Sequence, residues 1–106
     1  MTEERVGRPD RKVVAIECWV EDASQRTAMR LLDLSLGGGF IGSPTQLTRD
    51  DRIHVTFVLG GQDVRCAARV AHVQPARGFG FAFLDDEMTD EAWLAIERFV
   101  DPPETP

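Results

Sequence analysis

The run Ile53-His54-Val55-Thr56-Phe57-Val58-Leu59-Gly60-Gly61-Gln62-Asp63-Val64-Arg65-Cys66-Ala67-Ala68-Arg69-Val70 alternates twice about a pair of glycines. Ile53, Val55, Phe57 and Leu59 fall on one side and His54 and Thr56 on the other, the period of two that marks a half-buried strand. Gly60-Gly61 supplies the tight reversal that hairpins favour. The returning segment, Gln62 to Gln74, sets Val64, Cys66, Ala68 and Val70 against Arg65, Ala67 and Arg69, and Pro75-Ala76-Arg77-Gly78 ends it. Two strands with one apolar face need other elements to cover that face.

The flanking sequence supplies them. Upstream, residues 13 to 21 place Val14, Ile16, Cys18 and Val20 on one face and Ala15, Glu17, Trp19 and Glu21 on the other. After the polar turn Asp22-Ala23-Ser24-Gln25, the run Thr27 to Asp33 groups Thr27, Met29 and Leu31 opposite Arg26, Ala28, Arg30 and Leu32, so the two runs read as a hairpin. Gly37-Gly38-Gly39 then breaks the chain, and Phe40-Ile41 is a brief third strand before Ser43-Pro44. Downstream, Phe79-Gly80-Phe81-Ala82-Phe83-Leu84 puts three phenylalanines on one face. Six short strands with glycine-rich turns and no helix between them predict an all-β fold, a six-stranded antiparallel β-barrel. The period then changes: Thr89 is a suitable N-cap, Asp90 and Glu91 suit a helix N-terminus, and Ala92, Trp93, Ile96, Phe99 and Val100 form a helical stripe that Pro102-Pro103 stops. The expected organisation is a flexible basic arm over residues 1–12, one barrel domain with a closing C-terminal α-helix over 13–101, and a short tail over 102–106.

The chain of 106 residues has room for one domain, and its 42% hydrophobic and 28% charged composition is that of an ordinary globular protein. No segment approaches the roughly 18 apolar residues of a membrane helix, so no membrane insertion is expected. Met-Thr-Glu-Glu-Arg lacks the hydrophobic stretch of a signal peptide, which leaves a cytoplasmic location as the expectation. The net charge of −6 divides unevenly, with −7 from Asp85 onward and +1 over the rest. An acidic tail and no broad basic face argue against DNA or RNA as partners, but not against a small phosphate ligand held at one basic point. Cys18 and Cys66 lie in apolar runs and read as buried, reduced thiols; with His54 and His72 they make no metal motif, and no metal or cofactor is expected.

The residues do not assemble into an active site. Ser35 lacks the glycine two positions earlier that a nucleophile elbow requires, and no helix follows it. His54 and His72 are lone histidines on strands. The turn Asp33-Leu34-Ser35-Leu36-Gly37-Gly38 is more informative. Asp33 and Ser35, two apart on an extended chain, point the same way, and the glycines after them let backbone amides approach an anion closely. The same residues also suit an ordinary glycine turn closed by its own side chains. A second basic feature, Arg5-Val6-Gly7-Arg8-Pro9-Asp10-Arg11-Lys12, precedes the first strand and offers forked guanidinium donors for phosphate oxygens or a guanine edge. Standing alone, it is equally a solvated arm.

Taken together and in order, these pieces resemble the PilZ family of bacterial cyclic di-GMP receptors. The likeness runs through the basic segment, Asp33-x-Ser35-x-x-Gly38, Leu47-Thr48-x-Asp50, the glycine hairpin, Ala67-Ala68-Arg69-Val70-Ala71-His72-Val73, Gly78-Phe79-Gly80-Phe81-Ala82-Phe83-Leu84 and a closing helix. The resemblance implies a non-enzymatic receptor or adaptor. In it the arm residues Arg5, Arg8, Arg11 and Lys12 face phosphates and guanines, while Asp33 and Ser35, with Gly37 and Gly38, hold a guanine edge. The family's Arg-x-x-x-Arg is met here by Arg8-Pro9-Asp10-Arg11-Lys12, with lysine in place of the second arginine, which keeps the charge and loses the planar fork. The resemblance thus implies cyclic di-GMP and a downstream protein partner, not identified by sequence, as the binding partners. The alternative is a degenerate member that binds no nucleotide and docks proteins, with Trp19 on an outward face.

Overall fold

Gly60 and Gly61 take φ of 57° and 81°, the pair of positive values that a type I′ turn needs and that residues with a Cβ resist. They set Leu59 opposite Gln62, and the register then pairs Phe57 with Val64 and Val55 with Cys66. The computed structural model describes residues 12–101. Within them β1 (Lys12–Glu21), β2 (Arg26–Ser35), β3 (Gly38–Ile41), β4 (Arg52–Leu59), β5 (Gln62–Gln74) and β6 (Gly78–Phe83) form a closed antiparallel barrel in the order β1-β2-β3-β6-β5-β4. A 3₁₀ turn over Asp85–Glu87 leads to α1 (Asp90–Val100). The expected barrel and helix are both present. Arg5, Arg8 and Arg11 lie outside the described residues, whereas Lys12, counted with the arm, is the first residue of β1.

The inward faces anticipated from periodicity form the core: Val55, Val70, Phe79, Leu31 and Ile41 are fully buried, and no polar or charged residue is fully buried among the described residues. The helix belongs to the same cluster through Ala92, Ile96 and Val100. Phe81, Phe83 and Trp93 extend it edge to face, with centroids 5.5 Å and 5.9 Å apart. Thr89 caps α1 as expected, its hydroxyl oxygen accepting from the Ala92 N–H at 3.0 Å. Thr89→Ala should cost about 1 kcal/mol, read from the midpoint of a urea unfolding curve.

Three register shifts depart from strict alternation, and one of them aims the site. Leu31 pairs with Ile41, but Asp33 pairs with the adjacent Phe40, so β2 spends two residues where β3 spends one. Alternation from Leu31 would turn Asp33 inward; the extra residue of this β-bulge instead buries Leu34 completely and leaves Asp33 and Ser35 on the outer face. Gly38 and Gly39, read from sequence as part of a chain break, are the first residues of β3 and pair with β2 and β6. Ala67, expected beside the outward Arg65 and Arg69, is buried, because the chain leaving β6 crosses it and the Leu84 N–H donates to its carbonyl at 2.9 Å.

Cys18 and Cys66 are buried free thiols. Desolvation pushes them up to about 11 and about 12, respectively. Raised values mean that the protonated forms stabilise the fold fully below the unfolded thiol range, and that this stabilisation is lost as pH rises from about 9 through the folded values. Native protein at pH 8 should therefore be inert to a disulfide reagent that titrates both thiols after unfolding. The melting temperature should also fall more steeply above pH 9 than that of Cys18→Ala/Cys66→Ala.

Candidate functional site

The antiparallel register of β1 and β2 pairs Lys12 with Leu34 and Val13 with Asp33. The basic segment therefore joins the barrel on the rungs that carry the Asp33 hairpin. Val13 is 89% exposed, whereas the Oδ1 of Asp33 is buried. On the other flank the rung continues from Asp33 to Phe40, from Phe40 to Gly80 and from Gly80 to His72.

Ser35 ends β2 and closes the hairpin. Its hydroxyl donates to the Gly38 carbonyl at 3.3 Å and accepts from the Gly37 N–H at 3.2 Å. This is the ordinary turn role, yet a hydroxyl has two acceptor lone pairs, and one remains for a ligand N–H. Gly38 has φ of 154°, and a Cβ there would run into the Phe81 carbonyl oxygen, so the packing of β6 by itself demands glycine. Gly37 is different: a Cβ on it would meet nothing within 4 Å.

Lys12 extends its ammonium over the ring of Phe99 in α1, 5.5 Å from the centroid. The last base of the arm is thus tied to the helix. Behind the hairpin tip, Leu36 and Gly37 face Asp85, Trp93 and Glu97 across an open cleft of about 490 Å³. Its two carboxylates repel phosphates, so this cleft is unsuited to an anionic ligand. No group of three His, Cys, Asp or Glu that could hold a metal occurs among the described residues. No helix among them is long and apolar enough to cross a membrane.

The described residues thus form a small closed antiparallel barrel, flanked by a C-terminal helix, with the polar hairpin beside the start of β1. The chain belongs to the PilZ domain family, whose model matches residues 5–101. Among solved structures it is similar to the PilZ domain of CeSA from a cellulose-synthesizing bacterium, with 22% identity, a TM-score of 0.69, and coverage of 85% of this chain and 93% of that one. It is also similar to PlzA of Borreliella burgdorferi, determined in complex with c-di-GMP, with 13% identity and a TM-score of 0.70. That match covers 92% of this chain and 42% of PlzA. No curated protein matches the chain.

Proposed function

We propose that this PilZ domain is a cytoplasmic cyclic di-GMP receptor in which Arg5, Arg8, Arg11 and Lys12 hold the phosphates and guanines while Asp33, Ser35, Gly37 and Gly38 engage a guanine edge. The observation that carries the reading is the pairing of Lys12 with Leu34 and Val13 with Asp33, which sets the start of β1, where the arm attaches, beside the Asp33 turn. The covalent reach agrees: Arg8 is four residues from Lys12, within about 14 Å of extended chain. A relative of the same fold, PlzA, has been determined with this nucleotide. The role is binding and signalling, with a protein as the downstream partner.

The conversion of binding into a changed interaction surface follows from Lys12. A phosphate that draws its ammonium away releases the contact with Phe99, an interaction of about 0.5–1 kcal/mol, so the nucleotide and α1 compete for one side chain. Calorimetry should give a saturable isotherm with wild-type protein and roughly tenfold weaker binding for Arg8→Ala, the loss of one charge-assisted contact. No heat at high micromolar nucleotide would falsify the receptor reading.

A second reading, an adaptor that binds no nucleotide, rests on Trp19. It is 44% exposed on the outer face of β1, with the Arg26 guanidinium 4.7 Å above its ring. Exposed tryptophan stacked by arginine is a composition favoured at protein interfaces. Nuclear magnetic resonance spectra with and without cyclic di-GMP separate the two: shifts centred on residues 5–12 and 33–39 support the receptor, and superimposable spectra support the adaptor.

A further inference from the structure

Two faces of the molecule carry a large apolar side chain left open to solvent, and their surroundings differ in sign. On the outer wall of β1, Trp19 is 44% exposed. It stands across from Ala28 on β2 and Thr56 on β4, small residues that leave the indole prominent. The Arg26 guanidinium lies 4.7 Å over its ring, Arg30 flanks it on β2, and Arg65 follows Thr56 on β5. The acids beside Trp19 on β1 are Glu17, across from Arg30, and Glu21, which meets both Arg65 at 2.7 Å and Arg26 at 3.9 Å. Three guanidinium groups against two carboxylates leave the surroundings of Trp19 positive.

The helix presents the opposite arrangement. Ala92, Ile96 and Val100 turn into the core, which puts Leu94 on the outward side, 45% exposed. Residues three and four positions away share its face. These are Asp90, Glu91, Glu97 and Arg98, all exposed, so three carboxylates against one base leave the surroundings of Leu94 negative. Within one molecule neither apolar side chain covers the other, because both remain open to solvent.

We infer that the Trp19 wall of one molecule receives the Leu94 face of α1 from a second copy of this chain. Charge decides both the occupant and the mode of pairing. Wall against wall, or helix against helix, would set like charges face to face, whereas wall against helix sets arginines against carboxylates. The contact is therefore heterologous, head to tail, and leaves one unused wall and one unused helix at the ends of each assembly. Tryptophan and arginine are the residue types that most often carry binding energy at interfaces. A patch built around one tryptophan and one leucine is smaller than a standard interface, which suits a Kd on the order of 100 µM. The pairing names an occupant for the Trp19 face and needs no nucleotide.

Sedimentation velocity of the intact protein without nucleotide tests the pairing. Wild type should show a weight-average mass that rises with concentration, passes that of a dimer without a plateau, and falls back toward the monomer as salt is raised. Trp19→Asp and Leu94→Arg should each stay monomeric, since each sets like charge against the opposing face. Mixed, they should form a complex of two molecules and no larger, because the first keeps its helix face and the second keeps its wall. Circular dichroism melts verify that both variants fold, and Arg26→Glu takes the place of Trp19→Asp should that variant melt early. Wild type that is monomeric up to about 1 mM overturns the pairing. A mixture of the two variants that stays monomeric overturns it too, as does a wild-type mass that levels off at a dimer, the mark of a closed two-fold contact. None of these outcomes touches the calorimetry of cyclic di-GMP, so the receptor reading stands or falls separately.

Discussion

Gly38→Ala is expected to lower the melting temperature by roughly 10–20 °C, even in the absence of any ligand. The residue pairs with Ser35 on one side and Ala82 on the other, with φ of 154°. An added Cβ meets the Phe81 carbonyl oxygen, which is backbone in the middle of β6 and has no rotamer to change. Relief requires β3 and β6 to part. Strain at such a φ and overpacking each cost about 1–3 kcal/mol, together roughly 3 kcal/mol or more. For a domain of this size each kcal/mol moves the melting temperature by about 4–8 °C. Circular dichroism melts check the result, with Gly37→Ala as the comparison, because nothing lies within 4 Å of a Cβ at that tip.

The two variants separate the reasons for two glycines in one motif. Gly37→Ala should melt with wild type and lose affinity through the methyl it presents to an approaching nucleotide. Gly38→Ala should lose stability first. A Gly38→Ala protein that melts normally and fails only to bind would mean that Gly38 is required by the ligand and not by the barrel.

The parts of this fold legible in the sequence are those governed by local alternation. The β4–β5 hairpin, the three phenylalanines of β6 and the capped helix needed only their own residues to be read, because period-two and period-3.6 patterns are local consequences of strand and helix geometry. Gly38 and Gly39 were illegible as strand residues for the opposite reason. Glycine is disfavoured in strands, and what demands these two is the backbone of Phe81, far along the chain, at Gly38, and the Asp33 carbonyl with the Phe81 ring at Gly39. The β-bulge at Leu32 carries no compositional mark, so the outward aim of Asp33 and the burial of Leu34 follow only from the register of β2 with β3. Within the site, Asp33, Ser35 and Gly38 stood out because their spacing is a motif. The Phe40–His72 ring stack on the neighbouring rung did not. A lone histidine and a phenylalanine between a glycine and an isoleucine look like core or surface, and their stack exists only because β6 lies between them. The usable signal was glycine at position 80, on the small-residue face of β6 between Gly78 and Ala82, which marks a close approach.

Asp33→Ala is expected to weaken cyclic di-GMP binding about a hundredfold without altering the dependence of affinity on salt. The carboxylate belongs to a half-buried residue of the outer wall, between Val13 and Phe40. In the proposed complex its carboxylate accepts from the ring and amino N–H groups of a guanine edge, which brings Oδ1, buried in the free protein, into contact with the ligand. Hydrogen bonds to a charged group contribute about 1.5–3 kcal/mol each. Two that are lost together, and partly replaced by water, leave a deficit of roughly 3 kcal/mol, or a hundredfold in Kd. The contrast with the arm is one of distance dependence. Arg8 acts on phosphates by charge, so Arg8→Ala should flatten the fall of affinity with salt, whereas the short-range contacts of Asp33 should leave that slope intact. Because the two residues address different parts of the nucleotide, their effects should add in the double variant. Asn at position 33 tests the chemistry further: it keeps one acceptor and presents a donor where the guanine edge also donates, so Asp33→Asn should fall between wild type and alanine. Titrations at two salt concentrations distinguish these cases, and an Asp33→Ala protein that binds within twofold of wild type removes the hairpin from the site.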